Sequence, residues 1–142
     1  MSGEATKVYR DSGGDRLVIA AGGQLYRATA AMATKSADYT AAATDSGKVI
    51  YVDTDAKVIT LPSTAAGLCI TVENAGADGA VGISVSPAAA DKIMGVGLTA
   101  ADNKDLINTK ATAKKGDRVV LVGDGVDGWY VHELIGTWAR EA

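Results

Sequence analysis

Residues 48–61, KVIYVDTDAKVITL, hold two apolar runs joined by a short polar turn, and this stretch decides the fold class. Residues 48–52 and 57–61 are rich in β-branched side chains, which favour extended strands. Residues 53–56 between them have the Asp and Thr content typical of a tight turn. The pattern predicts a β-hairpin.

The same β character continues downstream with a period of two. Leu68, Ile70 and Val72 alternate with polar or small residues, as expected of a strand with one buried face. The alternation returns over residues 81–86, and residues 74–80 between these strands are polar and Gly-rich, which predicts an exposed loop.

Residues 118–122 and 129–134 predict a second hairpin around the Gly- and Asp-rich turn 123–128, and residues 92–94 and 105–108 predict two shorter strands. About ten short strands without helix-length segments predict an all-β fold. We expect a compact β-sandwich or barrel-like domain of jelly-roll type over residues 45–142.

The first 44 residues follow a different pattern. Residues 7–10 and 16–20 are short β-like runs around the turn 11–15, which predicts a hairpin or extended arm within residues 1–27. Residues 28–44 are rich in Ala and Thr without an amphipathic period, and we interpret them as a linker or irregular connection.

Composition excludes several classes of function. The chain has 142 residues and a net charge of −3, which gives no cationic field to hold nucleic-acid phosphates. No apolar run approaches the roughly 20 residues that span a bilayer, and the N-terminus lacks the apolar core of a secretion signal. We therefore expect neither nucleic acid nor membrane as a partner, and synthesis in the cytoplasm.

Residues able to perform catalysis are few. His132 is the single histidine and Cys69 the single cysteine, and both fall within predicted strands. A strand histidine is more often a packed or surface residue than a base or ligand, and a mid-strand thiol usually behaves as a small hydrophobe. We predict no catalytic residue, no metal ligand, no cofactor and no small-molecule substrate.

Two further features allow more than one interpretation. The turn 123–128 has carboxylates near glycines, but it lacks the ligand series of a calcium loop, and a Gly/Asp turn explains the same residues. Trp129 and Trp138 suit either a core or an interface. We assign Trp129 to the core and Trp138, near the chain end, to a partner contact.

Three phrases carry a resemblance to a known family: VYRDSGGDRLVIAAGG at 8–23, DSGKVIYV at 45–52 with ITLP at 59–62, and GDRVVLVGDG at 116–125 with GWYV at 128–131. They resemble head-decoration, or capsid cement, and head-fibre proteins of tailed bacteriophages. The repeat-rich extension usual in fibres is missing after Gly23, which favours a compact decoration protein.

The resemblance implies a non-enzymatic virion protein that binds the outer surface of an assembled capsid and bridges major capsid protein subunits, often as a homotrimer. The unburied strand edges of an N-terminal arm would serve as a clamp. The expected contact residues are Val8, Tyr9, Arg10, Leu17, Val18, Ile19 and Trp138.

Three alternatives stay open from sequence alone. The N-terminal arm could instead be the first hairpin of the sandwich core. The same architecture would also serve a tail- or fibre-associated β-module that binds host surface glycans, although aromatic residues are few. A small hydrolase would have to be built around one histidine and one cysteine in strand interiors.

Overall fold

In the computed structural model, residues 8–10, 17–19, 32–95 and 97–142 are described, and they form thirteen strands and one short 3-10 helix. The strands are β1 (Val8–Arg10), β2 (Leu17–Ile19), β3 (Met32–Lys35), β4 (Tyr39–Thr40), β5 (Val49–Val52), β6 (Lys57–Thr60), β7 (Cys69–Asn74), β8 (Ile83–Ser86), β9 (Lys92–Met94), β10 (Leu106–Asn108), β11 (Arg118–Gly123), β12 (Gly128–Ile135) and β13 (Trp138–Arg140). The helix is Ala43–Asp45.

Two mixed sheets make up most of the described chain. One has six strands in the order β3-β5-β7-β11-β12-β9, and the other has five in the order β13-β10-β8-β6-β4. Buried apolar residues of both sheets form one continuous core. The prediction of an all-β sandwich is confirmed, although its parallel strand pairs distinguish the sheets from the all-antiparallel sheets of a jelly roll.

The chain winds as a coil from β3 to β8, because each successive strand joins the opposite sheet. β5 lies parallel to β3 and β7, and β6 lies parallel to β4 and β8. The predicted hairpin over residues 48–61 is therefore wrong. Its two strands exist, but the turn 53–56 carries the chain from one sheet to the other instead of reversing it within one sheet.

Two other predicted hairpins are confirmed. β11 and β12 pair antiparallel around the turn 123–128. β1 and β2 also pair antiparallel and form a two-stranded sheet of their own.

The predicted linker over residues 28–44 is wrong for its described part, residues 32–44. β3 forms one edge of the six-stranded sheet and β4 one edge of the five-stranded sheet. Both strands are short and pair with a single neighbour each, so a local hydrophobic period is not required of them. The sandwich therefore includes residues 32–44 as the first turn of its coil.

The core follows from the alternation in the sequence. Ile70 and Val72 of β7 and Ile83 and Val85 of β8 are all at most 1% exposed. Trp129 of β12 is fully buried, which confirms its assignment to the core. Burial of one such aliphatic side chain stabilises the fold by about 1.5–3 kcal/mol, so the two inward faces supply most of the driving force.

A buried carboxylate fastens the connection between β4 and β5. Asp45 accepts hydrogen bonds from the Tyr39 hydroxyl at 2.8 Å, from the Ala42 amide at 2.9 Å and from the Lys48 ammonium at 2.8 Å. The bond from Lys48 is the largest cause that lowers the pKa of Asp45 from 3.8 to about 2, against burial, which raises it. We call this group the Asp45 staple.

The two residues after Asp45 tie the same turn to the next coil turn. The Ser46 hydroxyl accepts a hydrogen bond from the Cys69 amide at 3.0 Å, and the Gly47 amide donates to the Cys69 carbonyl at 2.7 Å. Gly47 has a φ of +82°, a conformation that glycine adopts without steric cost. The DSGK phrase is thus a structural turn that joins adjacent turns of the coil.

Candidate interaction surface

The second half of β12 extends past its neighbour in the sheet. β9 pairs only with residues 128–130 of β12, whereas β11 pairs with the strand as far as Ile135. Residues 132–135 are all exposed, and none of the described strands pairs with their outer edge. With respect to the described strands, this half-strand has a free backbone edge, and the N–H and C=O groups that point away from β11 are available to another chain.

A β-bulge decides which way these side chains point. Val120 lies opposite Glu133 and Leu121 opposite Val131, so His132 is the extra residue. Directly paired residues share one face of a sheet. Leu134 lies opposite the buried Val119 and therefore faces inward. Without the bulge, the alternation that follows Trp129 would place Glu133 on the inner face instead.

Three large apolar side chains are exposed on and beside this half-strand. Leu134 is 39% exposed on the inner face, Ile135 is 42% exposed on the outer face, and Tyr130 is 49% exposed on the outer face. Apolar groups clustered at a strand end indicate a surface that a partner covers. We call Tyr130 and residues 132–135 the β12 edge surface.

Charge at the β12 edge surface is mostly negative. The Arg118 guanidinium donates to the Glu133 carboxylate at 2.6 Å, and Glu73 lies opposite Arg118 on the neighbouring strand. Among the described residues, Arg118 forms an ion pair with Glu133 and none with Glu73. Two carboxylates therefore flank one guanidinium on the outer face, and this leaves one negative charge in excess.

Trp138 contacts the C-terminal end of β12, next to the β12 edge surface. Its indole nitrogen donates to the Ile135 carbonyl at 2.9 Å, and its ring packs partly against the core. The side chain is half-buried, so it holds the end of β12 in place as well as bordering the surface. Its predicted partner contact stays a prediction.

A buried polar network fixes the turn that follows β12. Asn108 donates to the Asp117 carboxylate at 2.9 Å and to the Thr137 carbonyl at 3.0 Å, and Asn74 donates to the Asn108 side-chain oxygen at 2.8 Å. All three side chains in this network belong to buried residues. Because unsatisfied buried polar groups are costly, the network specifies one arrangement of this end of the sandwich.

Six of the predicted contact residues lie in the N-terminal hairpin. The structure places their backbones in β1 and β2, and it describes nothing of their side chains. Their role in partner binding stays a prediction. These residues are Val8, Tyr9, Arg10, Leu17, Val18 and Ile19.

The residues that the sequence offered for catalysis or metal binding occupy a strand and a turn. His132 is the exposed bulge residue of β12, which fits its interpretation as a surface strand residue. Asp124 closes the turn 123–128 by accepting hydrogen bonds from three amides; the bond from Gly128 is the largest cause that lowers its pKa. In the described ranges, no group of three or more His, Cys, Asp or Glu side chains is placed to hold a metal ion.

A groove of about 390 Å³ lies against the five-stranded sheet. Val58 and Ile107 line it, and the ion pair between Lys110 and Asp55 borders it. Its described lining contains no aromatic side chain on which a sugar ring could stack. Among the residues that the structure describes, no helix has the length and apolar character needed to cross a membrane.

No protein-family model matches the chain, and the curated proteins contain no relative that matches it.

Proposed function

We propose that this chain is a non-enzymatic structural protein of a virus particle that binds the outer surface of an assembled capsid and stabilises it by bridging major capsid subunits. The observation that carries the proposal is the β12 edge surface, where Leu134 and Ile135 expose apolar area on opposite faces of one projecting strand end. A strand accessible on both faces and one edge suits a protein partner more than a small substrate.

The rigid sandwich supports the proposal on energetic grounds. A tightly packed core and the buried network around Asn108 hold the projecting strand in one orientation, so little conformational entropy is lost when it binds. A ligand that binds only the assembled shell opposes disassembly by mass action. The resemblance of the VYR and DSGK phrases to phage decoration proteins points to the same partner.

The proposal includes self-association as a homotrimer and a place on the outside of the virion. Each bound trimer then makes several contacts with the shell, and linked contacts raise the overall affinity without any change in the individual contacts. The predicted residues of β1 and β2 would add further contacts.

The test begins with light scattering on the purified chain, followed by co-sedimentation with expanded shells that lack it, taken from the phage that encodes it. We expect a trimer that sediments with shells and raises their disruption temperature. Ile135→Lys should lower binding because it places a charge in the contact. Val126→Lys is the matched control, since Val126 is 81% exposed in the turn 123–128.

A monomer that does not sediment with shells contradicts the proposal. Equal binding by the two lysine variants contradicts the assignment of the contact to β12.

A further inference from the structure

We infer that the β12 edge surface binds its partner by strand addition, and that the added strand is an extended segment of the shell protein carrying apolar and basic side chains. This inference rests on the proposed function and names the chemistry of its contact. Strand addition needs a backbone edge without a neighbour, and residues 132–135 have one with respect to the described strands.

The register of β12 sets the side chains that such a segment needs. Residues directly opposite one another across a strand pair lie on the same face. The residue opposite Leu134 lies on the inner face, where an apolar side chain covers the exposed part of Leu134. The residue opposite Glu133 lies on the outer face, beside the carboxylate that Arg118 contacts.

Charge complementarity favours a basic side chain at that outer position. Glu133 is the carboxylate next to an incoming strand, and Glu73 lies two strands further in. The outer face here has two carboxylates and one guanidinium, so an incoming Lys or Arg opposite Glu133 improves the charge balance. A second copy of this chain fits less well. Antiparallel pairing of two β12 edges brings Glu133 of each copy close together on the outer face, where like charges repel.

The contact is short, which explains why several copies have to act together. Four residues of strand extend about 13 Å, and the Ile135 carbonyl already accepts the Trp138 indole hydrogen bond. One added strand of this length binds weakly. A trimer that places several such strands on one shell gains affinity from the high effective concentration of the later contacts.

The test measures amide hydrogen exchange of the full chain, free and bound to expanded shells. Strand addition predicts slower exchange in the bound state at those amides of residues 131–136 that point away from β11, because partner carbonyls accept their hydrogens. The exposed loop 77–80 is the internal control and should exchange equally fast in both states.

A charge reversal tests the basic side chain. Glu133→Lys should weaken shell binding on the order of tenfold, with a smaller salt dependence than the unmodified chain. Asp53→Lys makes the same charge change at an exposed residue after β5 and should bind within about twofold of the unmodified chain.

The outcomes separate the two proposals. If the unmodified chain does not sediment with shells, the proposed function fails. If it sediments but exchange over residues 131–136 is unchanged, or Glu133→Lys binds as tightly as Asp53→Lys, strand addition by a basic segment is overturned while the function stands. Protection of residues 131–136 in the free protein that grows with its concentration overturns the inference in favour of a second copy.

Discussion

Replacing Asp45 with Asn should destabilise the sandwich at neutral pH and leave it unaffected in strong acid. The fall in the pKa of Asp45 from 3.8 to about 2 corresponds to about 2 kcal/mol of stabilisation by the charged form. The Lys48 side chain is 35% exposed, and solvent screening of its charge reduces the expected effect to about 1–2 kcal/mol.

The sign follows from the direction of the shift. A carboxyl whose folded pKa lies below its unfolded pKa stabilises the fold above the unfolded value, and that stabilisation is lost as pH falls through the folded value. The difference between the original chain and Asp45→Asn should therefore be full at pH 7, shrink below about pH 4 and vanish only below about pH 2.

Urea denaturation followed by intrinsic fluorescence at a series of pH values measures this difference. Asp53→Asn is the matched control, because Asp53 is exposed and its side chain accepts only from the adjacent Thr54 hydroxyl among the described residues. The control should stay within about 0.5 kcal/mol of the original chain at every pH. Equal stability of Asp45→Asn and the original chain at pH 7, or a difference that persists undiminished at pH 2, would refute the role given to the Asp45 staple.

Two further substitutions test the backbone. Gly136→Ala should lower the free energy of unfolding by at least 2 kcal/mol, because the new Cβ would meet a buried carboxylate and φ is +94°. Gly79→Ala, at φ +69° with open space around it, should lower it by only about 1 kcal/mol. Thermal unfolding compares the two variants, and equal losses of stability would remove the steric part of the explanation. Ala56→Gly should raise the free energy of unfolding by about 0.5 kcal/mol, because Ala56 has a φ of +56° and glycine adopts this conformation without strain. The same change at the exposed Ala77 should lower it. A loss of stability in Ala56→Gly would contradict the backbone strain assigned to Ala56.

Strand positions were predictable because the signal for them is local. The alternation of Ile70 and Val72 in β7 and of Ile83 and Val85 in β8 reflects burial of one face, whichever strand lies alongside. Pairing is not local. The turn 53–56 has the composition of a hairpin turn, yet the buried side chains of β5 and β6 meet across the core, so the two strands belong to different sheets.

The linker prediction failed for a related reason. β4 has two residues, too few to display a period, and the contacts that hold it are its pairing with β6 and the Tyr39 hydroxyl bond to Asp45. That contact joins residues with no recognisable sequence motif between them. The Asp45 staple and the edge strands could not be predicted for this reason.

One feature of the sequence indicates the candidate surface. Leu134 and Ile135 are adjacent apolar residues that follow the polar pair His132 and Glu133, which breaks the alternation begun at Trp129. Such a break indicates a bulge or a strand end accessible on both faces. Both are present here: the bulge lies in the pairing with β11, and the exposed strand end follows from the shortness of β9, which nothing in the sequence of β12 specifies.

The coil from β3 to β8 also sets the order in which the protein can fold during synthesis. Tyr39 pairs in register with Ile59, about 20 residues later, and a strand of the opposite sheet is made between them. Over the coil, the strands of the two sheets are therefore synthesised alternately, so neither sheet has its coil strands complete while the other has none. Pairs of longer sequence separation, such as Glu73 with Arg118, place this chain among the slower-folding small domains, on a timescale of about milliseconds to seconds.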